Sequence, residues 1–173
     1  MPVIDRSLSD CRYEQQSSVE FFTLLSLCHT VVPERLADGG LKYQAESPDE
    51  EALVAGAAAM GYVFTEQSVR VDVAGTTTER YHIEIGAGRE EVYDKLAVNE
   101  FTSTRKRMSA VFKTSEGRCV VYAKGADMMM ELDCGVTIPD DAKEHMQVCL
   151  PSVLCLLPPL GLFCILCLSL SLR

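Results

Sequence analysis

From Tyr62 onward the period of this chain changes from helical to alternating, and that alternation dictates a sheet. Val69, Val71 and Val73 alternate with Arg70 and Asp72, while Tyr81, Ile83 and Ile85 alternate with His82 and Glu84. Successive side chains of a strand point to opposite faces, so each run reads as a half-buried strand with one face toward a core. His82, on the polar face of its run, is expected in solvent. Residues 75–78 and 86–88 read as turns, and 92–100 as a further strand. Met108, Ala110 and Phe112 continue as another, and after a turn at Glu116-Gly117 the chain returns over 118–123. Strands joined by such short connections pair antiparallel.

Helices are expected to cover this sheet. Val19, Phe22, Leu25 and Leu27 recur at helical spacing, which predicts an amphipathic helix over 18–30 that Pro33 keeps short. His29 at its end faces the negative pole of the helix dipole and reads as structural, with a ligand role as the alternative. Residues 34–40 read as a polar loop. The clearest local signal follows, with Ser47 as N-cap, Pro48 at the first helical position and Glu50 at the third forming a capping box, and Asp49 favourable in the same turn. Residues 52–60 are nearly all strong helix formers, and Gly61 is the stop. A short helix is expected over 126–132. The fold class is therefore α+β, a mainly antiparallel sheet of about five or six strands flanked by helices.

One stretch stands apart. Glu100-Phe101-Thr102-Ser103-Thr104-Arg105-Lys106-Arg107-Met108-Ser109 sets an aromatic beside three consecutive cations in a chain whose formal net charge is −9. Such a cluster suits a planar, anionic ligand: Phe101 can stack on a base, for about 1–3 kcal/mol, while Lys106 and a neighbouring arginine face phosphates. The plainer reading is a turn followed by a basic strand edge, since lysine on an edge discourages aggregation. The following hairpin returns Lys124 to the level of Arg107 and Phe101, and Gly125 lets the backbone approach a ligand. The acidic balance argues against nucleic acid, which needs a broad basic face, but permits a local basic pocket.

These segments, taken in order, resemble the nucleotide-binding domain of P-type ATPases, in particular the phospholipid-translocating P4 branch. The resemblance rests on Leu27-Cys28-His29-Thr30-Val31, Ser47-Pro48-Asp49-Glu50, Phe101 to Ser109, and Lys124-Gly125-Ala126-Asp127. It runs from about residue 17 to about residue 132 and fades on both sides. It implies ATP as ligand, with Phe101 stacking on adenine, Lys106 one turn beyond it, Lys124 at the pocket floor near base and ribose, and Glu50 reaching the adenine amino group. Asp49, Arg105 and Arg107 are further nucleotide contacts under the same resemblance, the arginines toward the phosphates. In the parent enzyme such a domain lies on the cytosolic side and delivers ATP to an aspartate of a separate domain. The aspartyl phosphate then drives lipid across the bilayer.

The departures bear on function. The chain contains no Asp-Lys-Thr-Gly-Thr sequence, so a fragment that binds ATP without hydrolysing it is expected, with Mg2+ and catalytic residues confined to the parent enzyme. Its partners would be ATP, the remaining domains of the ATPase and, through them, the membrane. The alternative is a non-catalytic binding or regulatory module. By segment, 1–16 reads as a flexible lead-in, 17–149 as a partial ATP-binding domain and 150–173 as an apolar tail. Residues 150–172 carry no charge and reach the roughly 20 residues a membrane crossing needs. Pro151, Pro158, Pro159 and Gly161 interrupt that tail, which therefore reads as an out-of-family terminus from message processing or an incomplete gene model, with a membrane anchor as the alternative. The eight cysteines accompany a polar N-terminus without a signal-peptide core, so reduced thiols are expected. Cys164-Ile165-Leu166-Cys167 has metal-site spacing but no second ligand pair, and no metal is expected.

Overall fold

The computed structural model describes residues 18–86, 88–134, 140 and 166–172. The lead-in over 1–16, all but the first residue of a short polar helix that the sequence predicts over 140–147, and most of the apolar tail lie outside these residues. Helix α1 spans 18–27. A hairpin of β1 (Val32–Arg35) and β2 (Leu41–Gln44) follows, then α2 (Pro48–Ala59). Five strands come next: β3 (Tyr62–Val71), β4 (Thr77–Ile85), β5 (Arg89–Asn99), β6 (Arg107–Thr114) and β7 (Cys119–Gly125). Helix α3 (Asp127–Cys134) and strand β8 (Leu166–Leu172) complete the order. The sheet runs β3-β4-β5-β6-β7-β8, antiparallel throughout, with β8 added along β7. The expected α+β class is what the chain adopts. Among the described residues no helix is long and apolar enough to cross a membrane.

The alternation that predicts the strands also builds the core. Phe64, Tyr81, Phe112 and Tyr122 bring their rings to one face of β3, β4, β6 and β7, with centroids 4.8 Å, 5.5 Å and 6.3 Å apart in succession. Helix α1 lies across that face. The Ser26 hydroxyl donates to the Tyr62 carbonyl at 3.0 Å, and the Cys28 thiol donates to the Tyr122 carbonyl at 3.6 Å. Because α1 crosses from β3 to β7, every residue from Thr23 to His29 is buried, whereas Val19 is 40% exposed. The helix is thus enclosed over its second half rather than striped. Burial also pushes the Cys28 thiol up to about 12, leaving it unreactive.

Helix α2 starts and stops where expected, and Gly61 just beyond it takes a φ of 87°, which a side chain would strain. Four expectations change. Residues 34–40 are not a free loop but the tip of the β1–β2 hairpin and part of its first strand. The capping box does not form, because the Ser47 side chain makes no cap hydrogen bond and the Glu50 carboxylate reaches Thr30 and Lys124 instead. Val69, Val71 and Val73 are 61%, 64% and 109% exposed. The covering elements meet β3 at Tyr62 and Phe64, through Phe22, Ser26, His29 and Tyr43, whereas the far end of the strand is exposed. Finally, His82 is half-buried on the opposite face, where its ring nitrogens meet Ser68 Oγ at 2.8 Å and Glu90 Oε1 at 2.9 Å.

Candidate functional site

A cavity of about 710 Å³ opens where the N-terminus of α2, the β1–β2 hairpin and the joined ends of β6 and β7 converge. That volume is in the range of small-molecule sites. Its floor is set by β7, where Val120, Tyr122 and Lys124 share the covered face. A lysine thus occupies a position whose phase demands an apolar residue, and it is 7% exposed. A charge so placed needs a counter-ion. Glu50 supplies it from the first turn of α2, with Oε1 3.0 Å from Lys124 Nζ. Glu50 is the ion-pair partner of this ammonium among the described residues, and an ammonium with three N–H groups and one such partner retains capacity for a further acceptor.

The second oxygen of Glu50 is fixed from the other side. Oε2 accepts from the Thr30 hydroxyl at 2.7 Å and from the Thr30 amide at 3.2 Å. Burial raises the affinity of this carboxyl for a proton, but the Lys124 ammonium and the two Thr30 donors outweigh it and hold Glu50 below the usual carboxylate range. Beneath Thr30, His29 is fully buried. Its Nδ1 accepts from the Val31 amide at 3.2 Å, so Nε2 carries the proton and donates to the Ser26 carbonyl at 2.8 Å. The ring stacks on Tyr81 at 5.6 Å and meets Phe64 edge-on at 4.7 Å. This histidine orients the turn that presents Thr30.

Phe101, 45% exposed, stands on the rim in the loop between β5 and β6, and Leu53 and Met108 add apolar wall. Asp49 also lines the cavity. Lys106, Arg105 and Arg107 do not line it. Lys106 is exposed with a φ of 50°. The Arg105 guanidinium lies against the carbonyls of Asn99, Glu100 and Arg107. Strand alternation puts Arg107 on the face opposite Met108 and Lys124. Gly125 lines the cavity, and its place between two strand ends gives a second reason for a glycine. An added Cβ there would lie 2.6 Å from Arg107 Cβ and 2.7 Å from the Lys106 carbonyl, so the glycine permits the tight contact of two strand ends.

Sequence reasoning passed over Thr30 as a site residue, although it lies inside the quoted stretch Leu27 to Val31. It put Lys124 at the pocket floor only through the family resemblance, without reading its burial from the strand. The signal that could have found its burial is its phase with Val120 and Tyr122. No group of three or more His, Cys, Asp or Glu side chains among the described residues is placed to hold a metal ion. The floor fits a neutral or electron-rich group that can accept from Lys124, and the rim fits a flat ring over Phe101.

The family model "P-type ATPase, cytoplasmic domain N" matches residues 17–147. Phospholipid-transporting ATPase DRS2 of Saccharomyces cerevisiae is 46% identical over 133 residues, covering 74% of this chain and 9% of that protein. Phospholipid-transporting ATPase IC of Xenopus tropicalis is 45% identical over 111 residues, 64% of this chain and 8% of its own length. Phospholipid-transporting ATPase ID of Homo sapiens is 41% identical over 114 residues, with the same coverage of 64% and 8%. The chain therefore spans less than a tenth of the length of these relatives.

Proposed function

The chain belongs to the family of P-type ATPase cytoplasmic N domains, and from that premise we propose that its cavity binds ATP as the nucleotide-binding part of a phospholipid-transporting ATPase. The observation that carries this reading is Lys124, a buried ammonium on the cavity floor whose one charged partner, Glu50, leaves N–H groups over for a further acceptor. A purine ring nitrogen or a ribose oxygen would supply that acceptor. Above it, Phe101 offers the base a stacking face, and the Glu50 carboxylate, oriented by Thr30, can accept from an exocyclic amino group.

Outside the cavity mouth, Lys106 is the cation we assign to the phosphates, since it sits in the same loop as Phe101 and is exposed. Asp49 takes a secondary place on the wall. The chain contributes binding and orientation. Its sequence holds no Asp-Lys-Thr-Gly-Thr acceptor, so phosphoryl transfer, Mg2+ and lipid movement belong to other parts of a parent enzyme. Because a single stacked ring and a few polar contacts carry the affinity, millimolar binding is expected, on the order of −4 kcal/mol.

The test is a titration of the 173-residue chain with ATP, followed by NMR and paired with a phosphate-release assay. Perturbed resonances at Phe101, Lys124 and Glu50 without phosphate release are expected. Absence of any response at those three residues up to tens of millimolar would overturn the assignment.

A further inference from the structure

We infer that Arg105 is a positioning residue, which holds the loop carrying Phe101 and so sets the strength of base stacking, instead of contacting a phosphate. The inference rests on the nucleotide reading above. Nη2 of Arg105 donates to the carbonyls of Asn99 at 3.3 Å, Glu100 at 3.1 Å and Arg107 at 3.0 Å. Two of these acceptors lie where β5 ends and one where β6 begins, so the guanidinium crosses the base of the loop from one strand to the other. Two N–H groups are shared among three carbonyls, a geometry that a single ammonium on a flexible stem does not reproduce.

The loop is closed a second time by its backbone. The Lys106 amide donates to the Thr102 carbonyl at 2.7 Å, the Arg105 amide to Thr102 Oγ1 at 3.2 Å, and the Lys106 carbonyl accepts from the Ala126 amide at 3.0 Å. Lys106 is held at a φ of 50°, the left-handed region that a lysine rarely enters, and such a conformation persists only where its surroundings over-determine it. Phe101 thus sits between Glu100 and Thr102, both tied to Arg105, while its ring remains 45% exposed on the cavity rim. A ring on a loose loop must be ordered when a base stacks on it, at a cost in affinity, whereas a fixed loop has already met that cost in folding.

The proposal separates from a phosphate role by ligand and by coupling. Adenosine, AMP and ATP are titrated into the 173-residue chain and into Arg105→Lys, Thr102→Val, Phe101→Leu and the Phe101→Leu/Arg105→Lys double variant. Arg105→Lys keeps the charge, yet it is expected to weaken all three ligands by the same factor, about fivefold, a fraction of a full stacking contribution. Thr102→Val should move in the same direction, and it carries the decision if Arg105→Lys does not fold. In the Phe101→Leu background, Arg105→Lys should add less than about twofold, because the two act through one ring. Full adenosine affinity in Arg105→Lys, or a loss undiminished by Phe101→Leu, overturns the inference while leaving the nucleotide reading intact. A wild-type chain that responds to neither adenosine nor ATP overturns both.

Discussion

The Lys124 ammonium lies 3.0 Å from Glu50 Oε1, and the two side chains are only 8% and 16% exposed. A pair withdrawn from water gains little net stability over an apolar pair, but removing one member strands the other charge, typically at a cost of about 3–5 kcal/mol. Glu50→Gln is therefore expected to lower the unfolding free energy by about 3 kcal/mol, measured as a drop in urea midpoint. Ser47→Ala is the contrast on the same helix start. Its hydroxyl makes no cap bond, so it should cost no more than about 0.5 kcal/mol, below the usual cap value. Equal small losses in both variants would mean that the pair does not carry the buried charge.

His29 predicts a pH dependence with a definite sign. Burial, reinforced by the Lys124 charge and opposed by the Ser26 carbonyl, lowers its pKa from 6.5 to about 4. As pH falls below 6.5 the unfolded chain takes up a proton that the folded ring refuses, so stability falls, and the loss is complete near pH 4, at about 3 kcal/mol. The slope is read between pH 7 and 5, above the range where the Glu50 carboxyl titrates. His29→Gln should flatten it whatever its effect on absolute stability. A slope unchanged in that variant would assign it to another group.

Gly125→Ala tests the junction of β6 and β7. The added methyl would meet Arg107 Cβ at 2.6 Å and the Lys106 carbonyl at 2.7 Å, atoms on or next to the backbone that cannot swing aside. Overpacking of this kind costs about 1–3 kcal/mol. The same shift should move the resonances of Met108 and Lys124, which pair across these strands. Wild-type stability with unmoved resonances would show that the two strand ends do not approach so closely.

How much of this was legible before the fold was known depends on the reach of the interaction concerned. The alternation of Tyr81 with Ile83, and of Met108 with Ala110 and Phe112, is local, and β4 and β6 follow from it directly. The start of α2 at Pro48 and its stop before Gly61 are equally local. The capping box failed because its pattern is local while the partners that win Glu50, Thr30 and Lys124, come from other elements. Periodicity told which residues of Val69 to Val73 share a face, but coverage is set by α1 and the hairpin, which meet β3 at Tyr62 and Phe64. The β1–β2 hairpin escaped notice because its four-residue strands are mostly exposed and the first contains Pro33. Of the site, Glu50, Asp49, Phe101 and Lys124 meet at one cavity, whereas the arginines flanking Lys106 bond to backbone carbonyls.

Stacking and charge at the rim can be separated by comparing nucleotides. Phe101→Leu keeps apolar bulk and loses the aromatic face, so ATP, ADP and AMP, which share adenine, should weaken by similar factors, up to about tenfold. Because Phe101 is 45% exposed, the same change should alter the unfolding free energy by no more than about 0.5 kcal/mol. Lys106→Gln removes an exposed cation, and it should weaken ATP more than AMP, with the difference shrinking as salt rises, since exposed charges are screened beyond about 10 Å at 0.1 M. A basic strand edge with no ligand predicts neither pattern, because there the two variants would leave every nucleotide titration alike. NMR titrations of the 173-residue chain at two salt concentrations distinguish the cases, and equal losses of ATP and AMP in Lys106→Gln would remove that lysine from the phosphates while leaving Phe101 under the base.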